Sequence, residues 1–191
     1  FVLVALGWVL MSLIGAIPMW ISGAIPNYAD ALFETVSGIT TTGATILSSV
    51  EAMPNCVNFW RCFSNWIGGM GVVVFMMTIL PAIGSNGSMY LMRAESPGPS
   101  FGKLVPKLKK TAMLLYGMYI GMTLIQLILL LCGGLDFFDS LCVSIATAGT
   151  GGFGIKDDGF SGYSTYVQIV VTIFMFLFGV NFKFYFLLIM R

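Results

Sequence analysis

The stretch Asp30-Ala-Leu-Phe-Glu-Thr-Val-Ser-Gly-Ile-Thr-Thr-Thr-Gly-Ala-Thr45 decides how this chain folds. It begins with an acidic residue and is mainly apolar over about ten residues, whereas a helix needs about 20 apolar residues to cross the core of a bilayer. The run is too apolar for a solvated loop, so we predict a short re-entrant helix. Extended backbone should follow over residues 40–45, because β-branched threonines favour extended conformations over helix.

The same plan recurs 109 positions later in the chain. Acidic, apolar, threonine and glycine positions match between the two copies, and such self-similarity indicates one structural unit used twice. We predict that each unit consists of an outer helix, a half-length helix, an extended Thr/Gly segment and an inner helix. The matching pairs include Asp30 and Asp139, Leu32 and Leu141, Thr41 and Thr150, and Gly43 and Gly152.

The composition around these copies is that of a membrane protein. Hydrophobic residues make up 58% of the chain and charged residues 9%, against about 25% charged residues in a typical soluble domain. Four tracts without a charged residue are each long enough to cross a bilayer. The predicted fold class is therefore an all-α integral membrane protein with two tandem repeats of helix, re-entrant pore loop and helix. The four long helices are expected over residues 1–21, 60–83, 111–133 and 164–190.

The charged residues divide the chain and orient it. Residues 84–110 form a linker that carries five of the nine lysines and arginines against one acid, Glu95. By the positive-inside rule we place this linker, and with it both ends of the chain, on the cytoplasmic side. The first membrane repeat is then residues 1–83 and the second is residues 111–191. Because the chain starts at Phe1 and stops within an apolar run, we expect it to be part of a longer polypeptide.

The two Thr/Gly segments are Thr41-Thr42-Gly43-Ala44 and Thr150-Gly151-Gly152-Phe153. Extended backbone at membrane depth is tolerated only where protein shields it or where it lines a water-filled path. Its carbonyl oxygens can replace the water shell of a weakly hydrated monovalent cation, and the C-terminal end of each half-length helix has a partial negative charge that favours a cation. We therefore predict a cation-selective filter in a channel-like pore. Its residues are Thr41, Thr42, Gly43, Ala44, Thr150, Gly151, Gly152 and Phe153.

Two glycines compete for the filter position in the second segment. The spacing of the repeat favours Gly152 as the partner of Gly43, whereas the Thr-Gly order of the first segment favours Gly151. The plainer interpretation of both segments, ordinary exposed turns, is weakened because two copies stand in register behind half-length apolar stretches.

Other residues have competing interpretations. Lys183 lies within the fourth predicted helix, where an intramembrane charge is a functional candidate or else snorkels to the surface. Asp157 and Asp158 could concentrate cations at the mouth of the pore, although a solvated loop is the more ordinary role. Cys56 and Cys62 could form a disulfide, but packing as small apolar side chains is favoured. The chain has no histidine, and we expect no cofactor and no zinc or haem site.

These features weigh against several classes of function. An enzyme is not expected, because the carboxylates lie at the membrane edges and no acid–base pair or metal cluster is visible. A nucleic-acid partner is not expected either. The alternative to a pore is a secondary transporter whose broken helices couple a cation to another substrate, and the shared orientation of the two repeats counts against its inverted-repeat form. The favoured interpretation is a cation pore in a lipid bilayer.

The residues resemble a known family along almost the whole chain. The block Phe59-Trp-Arg-Cys-Phe-Ser-Asn-Trp-Ile-Gly-Gly-Met-Gly-Val-Val-Val74 is highly specific, and residues 31–45 fit the same family. Together they resemble the Trk/Ktr/HKT superfamily of potassium transporters, and most of all the membrane (pore) subunits of bacterial Trk potassium uptake systems. Shorter matches are Arg93-Ala-Glu-Ser-Pro-Gly-Pro99, Thr150-Gly-Gly-Phe153 and Gly179-Val-Asn-Phe182.

The resemblance implies four non-identical repeats around one pore, of which this chain looks like the first two. Each repeat of that family contributes one filter glycine, and Gly43 fits this role; glycine rather than serine there is associated with preference for potassium over sodium. The implied function is potassium uptake across the bacterial cytoplasmic (inner) membrane, driven by the membrane potential and gated by a cytoplasmic partner. The expected partners are potassium ions, the remaining two repeats, a second copy in a homodimer, and a cytoplasmic nucleotide-binding regulatory subunit.

Overall fold

The computed structural model describes residues 2–71, 108–180, 182, 184 and 185. These residues form α-helices joined by irregular segments, and no β-strand occurs among them. The predicted all-helical class is confirmed for this part of the chain. In chain order the helices are α1 (Val2–Ile21), α2 (Tyr28–Ile39), α3 (Asn55–Gly69), α4 (Leu108–Cys132), α5 (Phe137–Ala148) and α6 (Thr165–Gly179).

The helices follow the same packing order in both repeats. In the first repeat α1 packs against α2, and α2 packs against α3. In the second repeat α4 packs against α5, α5 packs against α6, and α4 also contacts α6. The two repeats meet through α3 and α5. The inner helix of the first repeat therefore lies against the short helix of the second.

The two short helices begin with the same capping arrangement. Asn27 precedes α2, and its side chain accepts a hydrogen bond from the Ala29 N–H at 3.0 Å. Asp136 precedes α5 and accepts one from the Phe138 N–H at 3.1 Å. Each such cap stabilises a helix by about 1 kcal/mol. Because α2 and α5 begin and end at the same spacing of 109 positions, the prediction of two half-length helices in register is confirmed.

Two glycines allow α3 to approach the ends of both short helices. A Cβ on Gly68 would collide with the carbonyl oxygen of Ile39, the last residue of α2. A Cβ on Gly69 would lie 2.7 Å from the Cα of Gly149, the residue that follows α5. Small residues permit this kind of close packing between membrane helices. The helix α3 thus packs against the points at which both short helices end.

Several helix boundaries differ from the predictions. The helix α3 ends at Gly69, and Gly71 has φ of 75°, so a continuous helix over residues 60–83 is wrong there. The prediction for α3 followed the apolar tract from residue 60, whereas the helix begins at Asn55, directly after Pro54, and so includes polar residues in its first turn. The helix α6 ends at Gly179, because Val180 has an extended conformation with ψ of 137°. A continuous helix over residues 164–190 is therefore wrong at Val180. Helical residues occur again at 182, 184 and 185.

Some predictions concern residues outside the described part of the chain. Residues 72–107, which include most of the predicted linker over 84–110, are outside it, and so is Lys183. Among the described residues, one helix, Met113–Cys132, is long and apolar enough to cross a membrane. The shorter apolar helices are Ala5–Ile21, Phe137–Ala148 and Thr165–Gly179.

Candidate functional site

Each short helix is followed by the same unusual turn. Thr41 and Thr150 have φ of 55° and 56°, and Gly43 and Gly152 have φ of 74° and 71°. The extended backbone predicted for residues 40–45 is therefore wrong at Thr41 and Gly43, which adopt left-handed conformations. Such a conformation costs a residue with a Cβ roughly 1–2 kcal/mol. The surrounding structure enforces it at equivalent threonines in both repeats.

Hydrogen bonds to the helix ends hold the two turns. The Thr41 N–H donates to the Gly38 carbonyl at 2.9 Å, and the Thr150 N–H donates to the Thr147 carbonyl at 2.8 Å. These four residues occupy equivalent positions in the two repeats. The main-chain donors of both turns are thus directed back to the short helices.

Most carbonyl oxygens of the two Thr/Gly segments have no such partners, although the Ala44 carbonyl accepts a hydrogen bond from the Ser37 hydroxyl at 2.6 Å. No hydrogen bond among the described residues is accepted by the carbonyl oxygens of residues 41–43 or 150–152. These residues are half-buried or exposed. Main-chain carbonyls are strong acceptors that are nearly always paired with protein, water or a ligand. Both segments therefore present oxygen atoms that are available to a further ligand.

The two Thr/Gly segments also touch each other, although they are far apart in the sequence. A Cβ on Gly43 would collide with the carbonyl oxygen of Gly151. By contrast, nothing lies within 4 Å of the position that a Cβ on Gly152 would occupy. Gly43 is therefore required for two reasons, its positive φ and the close approach of another main chain. The structure brings the predicted filter residues of both repeats to one place.

Asn65 of α3 packs against the end of α5 and the second segment. Its side chain is fully buried, and its Nδ2 donates to the Ala146 carbonyl at 2.8 Å. Its Oδ1 has no hydrogen-bond partner among the described residues. A Cβ on Gly149 or on Gly151 would collide with Asn65. Sequence reasoning missed this residue, because a single asparagine within a helix carries no distinctive signal.

A buried ion pair lies behind the first segment. Nε of Arg61 in α3 is 2.8 Å from Oε2 of Glu34 in α2, and the two side chains are 1% and 0% exposed. Oε1 of Glu34 accepts hydrogen bonds from the Thr45 hydroxyl at 2.7 Å and from the Ile46 N–H at 2.6 Å. Removing one partner of a buried ion pair typically costs about 3–5 kcal/mol. The pair therefore ties α2, α3 and the residues after the first segment together.

Arg61 has further partners on both sides. Its Nη2 donates to Oγ1 of Thr45 at 3.2 Å, and its Nη1 donates to Oδ1 of Asn58 at 3.2 Å. Its Cζ lies 4.7 Å from the centroid of the Phe153 ring. Sequence reasoning missed this network, because neither Glu34 nor Arg61 was among the predicted site residues. The available signal was one acid and one base, each placed among apolar residues of neighbouring helices.

Asp157 joins the loops that follow the two segments. Its carboxylate accepts hydrogen bonds from the Ser49 hydroxyl at 2.7 Å and from the Val50 N–H at 2.5 Å. Its own N–H donates to Oε1 of Glu51 at 3.3 Å. The Ser49 hydroxyl, and then the Val50 N–H, hold the pKa of Asp157 below its ordinary value of 3.8. Asp157 is therefore engaged with the loop of the first repeat, although both Asp157 and Asp158 are exposed.

All four cysteines are free thiols. Cys56 is exposed and Cys62 is buried, so the two residues considered for a disulfide are not paired. Cys62 belongs instead to the core between α3 and α5, together with Cys142. Within the part of the chain that the structure describes, no group of three or more histidine, cysteine, aspartate or glutamate residues could hold a metal ion.

Comparison with known proteins relates the whole chain to cation transporters. Residues 1–191 match the family TrkH, cation transport protein. The Trk system potassium uptake proteins TrkG and TrkH of Escherichia coli (strain K12) are 35% and 37% identical to the chain, over 100% and 99% of its length and 40% of theirs. The crystal structure of the potassium transporter TrkH from Vibrio parahaemolyticus matches with a TM-score of 0.74 and 28% identity, over 94% of this chain and 35% of that one. The chain thus spans about 40% of the length of the curated relatives it matches.

Proposed function

The chain belongs to the TrkH family of cation transport proteins, and we propose that it forms part of a pore for potassium uptake across the bacterial cytoplasmic membrane. The resemblance to the Trk superfamily noted in the sequence is confirmed by the family and by its relatives. TrkG and TrkH of E. coli are potassium uptake proteins, not enzymes, which supports potassium as the transported ion. The resemblance assigns the chain the first two of four repeats, and its coverage of 40% of the relatives' length fits that share.

In this proposal the two Thr/Gly segments are two sides of the selectivity filter. The observation that carries it is the matched pair of left-handed turns at Thr41 and Thr150, where the carbonyl oxygens of residues 41–43 and 150–152 have no partner among the described residues. Rings of backbone carbonyls are the usual means of replacing the hydration shell of potassium. Gly152 is the counterpart of Gly43, because both have a positive φ in the same place of the repeat.

The short helices contribute electrostatically to the same site. Both α2 and α5 end immediately before a Thr/Gly segment. The C-terminal end of a helix has a partial negative charge of about half an elementary charge. Two such ends directed at the pore favour a cation over an anion, as the sequence predicted. The re-entrant course of α2 and α5 through part of the bilayer follows from their length, which is too short to span it.

The remaining features of the proposal concern the setting of the pore. The basic linker places residues 84–110 and both ends of the chain on the cytoplasmic side. The membrane potential drives potassium inward with about 2.3 kcal/mol per charge and 100 mV. A cytoplasmic nucleotide-binding subunit gates the pore against the face that carries the linker, and the complete protein is a homodimer. These partners rest on the resemblance stated for the sequence and not on a contact among the described residues.

Growth on limiting potassium tests the proposal. A bacterium that lacks potassium uptake is complemented with the full-length gene, as wild type, as Gly43→Ser and as Gly23→Ser. Gly23 is the matched control, because its φ of 73° is close to the 74° of Gly43 but it lies in the turn after α1. We expect rescue by the wild type and by Gly23→Ser, and weak or sodium-sensitive rescue by Gly43→Ser at equal amounts in the membrane. Equal rescue by both variants would contradict a filter at Gly43.

A further inference from the structure

We propose that the buried ion pair of Glu34 and Arg61 positions the exit of the first Thr/Gly segment and thereby sets the discrimination between potassium and sodium. The inference rests on the proposed function of this segment as one side of a selectivity filter. It assigns the two charged residues a role as positioning residues, which act through Thr45 and Ile46 and do not touch the ion.

The hydrogen bonds of Glu34 show how the pair can act on the segment. The start of the segment is fixed to α2 by the bond from the Thr41 N–H to the Gly38 carbonyl. Immediately after the segment, Thr45 and Ile46 both donate to Oε1 of Glu34, which also belongs to α2. The segment, residues 41–44, is therefore held at both ends by one short helix.

The carboxylate of Glu34 is not free to bind a cation itself. Its Oε2 accepts a hydrogen bond from Nε of Arg61 at 2.8 Å, while Oε1 accepts two further hydrogen bonds. Its side chain is 0% exposed, and its charge is balanced by the guanidinium. A neutralised and fully buried carboxylate adds little to the attraction of cations at the mouth. The role that remains for it is to fix the geometry of its hydrogen-bond donors.

Arg61 connects this anchor to the second Thr/Gly segment. One Nη donates to the Thr45 hydroxyl beside the first segment, and the guanidinium lies over the ring of Phe153, the last residue of the second segment. Attraction between a buried guanidinium and an aromatic face strengthens when both are removed from water. A single side chain of α3 therefore fixes the exits of both segments relative to each other.

The second repeat has no equivalent pair. The equivalent of Glu34 in α5 is Val143, at the same spacing of 109 positions. Because α3 and α6 begin at Asn55 and Thr165, the equivalent of Arg61 is Val171. Both valines are buried in the apolar core of the second repeat. The pair of Glu34 and Arg61 thus occurs in the first repeat alone, and it contacts the exits of both segments.

Selection between potassium and sodium depends on the spacing and field strength of the carbonyl oxygens. Loss of the anchor at Thr45 loosens the exit of the first segment, so that its carbonyl oxygens can move closer to the smaller sodium ion. We expect Glu34→Gln to lower the potassium-to-sodium permeability ratio by about tenfold, because the amide removes the negative charge and replaces one acceptor oxygen with a donor that faces either Nε of Arg61 or the donors of Thr45 and Ile46. Thr45→Val removes only the hydroxyl shared by the two charged groups and should lower the ratio in the same direction.

The test uses the full-length transporter in planar bilayers or proteoliposomes, where reversal potentials under potassium and sodium gradients give the permeability ratio. Val143→Ala is the matched control, because it alters a fully buried residue at the equivalent position of α5. Gly43→Ser is the reference for the filter itself. We expect the ratio to fall in Glu34→Gln, Thr45→Val and Gly43→Ser, and to stay within about twofold of wild type in Val143→Ala.

The outcomes separate this inference from the function on which it rests. If Gly43→Ser changes the ratio and neither Glu34→Gln nor Thr45→Val does, the ion pair is only structural and the inference is overturned. If Gly43→Ser also leaves the ratio unchanged, the filter itself is wrong. Should Glu34→Gln fail to reach the membrane, Thr45→Val decides, since it leaves both charges in place. A fall in flux at an unchanged ratio also overturns the inference, because a merely structural role predicts that result.

Discussion

Thr41 and Thr150 lie 109 positions apart and share one rare backbone conformation, with φ of 55° and 56°. A β-branched residue at positive φ is a genuine outlier, and such strain costs on the order of 1–3 kcal/mol where it persists. At both sites the threonine N–H is bonded to the end of a short helix, and a glycine with positive φ follows two residues later. Both repeats therefore impose the same strain at the same position, within the segments that we propose as the filter.

Two substitutions of Thr41 distinguish the role of its main-chain conformation from that of its hydroxyl. The hydroxyl makes no hydrogen bond among the described residues, so Thr41→Val should keep the permeability ratio near the wild-type value. Thr41→Gly relieves the left-handed strain of about 1–2 kcal/mol but frees the main chain. We expect this variant to be as thermostable as wild type and less selective for potassium. Thermal unfolding and reversal potentials of the full-length protein check both expectations; loss of selectivity in Thr41→Val alone would point to the hydroxyl instead.

The two filter glycines should differ in their tolerance of a methyl group. Gly43→Ala places a Cβ on the carbonyl oxygen of Gly151, whereas Gly152→Ala meets no atom within 4 Å. We expect Gly43→Ala to lose potassium uptake, and Gly152→Ala to lose only what a left-handed alanine costs, about 1–2 kcal/mol of stability. Rubidium uptake at equal membrane abundance measures the difference. An equal loss in both variants would show that the positive φ, and not the contact with Gly151, is the reason why position 43 requires glycine.

The pH dependence of the loops should follow Asp157. Because its pKa is lowered in the folded state, its contribution to stability is present above the ordinary value of 3.8 and is lost as the pH falls through the lowered value. We expect the Val50 amide to be protected from hydrogen exchange at neutral pH and to lose that protection once the pH has fallen below 3.8 and through the lowered pKa, after correction for intrinsic rates. Asp157→Asn should remove this pH dependence and Asp158→Asn should keep it. Unchanged protection in Asp157→Asn would refute the contact.

Thiol labelling checks the packing between the repeats. A membrane-impermeant maleimide should modify Cys56, which is exposed, and leave Cys62 and Cys142 unmodified until the protein is denatured, because both are buried between α3 and α5. Peptide mass spectrometry of the labelled full-length protein identifies each site. Ready labelling of Cys62 in the folded protein, or a disulfide between Cys56 and Cys62, would contradict the contact between α3 and α5.

Local signals predicted the parts of the fold that depend on local sequence. An apolar run of half the spanning length, followed by a Thr/Gly segment and repeated once, predicts the two short helices and their register. It also predicts that Gly43 lies in the segment after the first short helix. The left-handed Thr41 was not predictable from propensity, because β-branched residues favour extended backbone. Here the hydrogen bond to Gly38 overrides that preference.

Long-range contacts explain the remaining differences. Glu34 and Arg61 are far apart in sequence, and neither residue alone indicates that the other neutralises it at the end of the first segment. The same applies to Asn65, whose contacts are with residues of the other repeat. Helix boundaries followed the edge of each apolar tract and were therefore displaced where polar residues belong to a helix, as at Asn55.

The most direct test of the central claim is the anomalous scattering of rubidium in crystals of the full-length protein. If the two Thr/Gly segments form a potassium filter, rubidium should occupy sites coordinated by the carbonyl oxygens of residues 41–43 and 150–152, and these peaks should weaken when sodium replaces rubidium. Rubidium density elsewhere in the pore, with none at these carbonyls, would contradict the assignment of both segments.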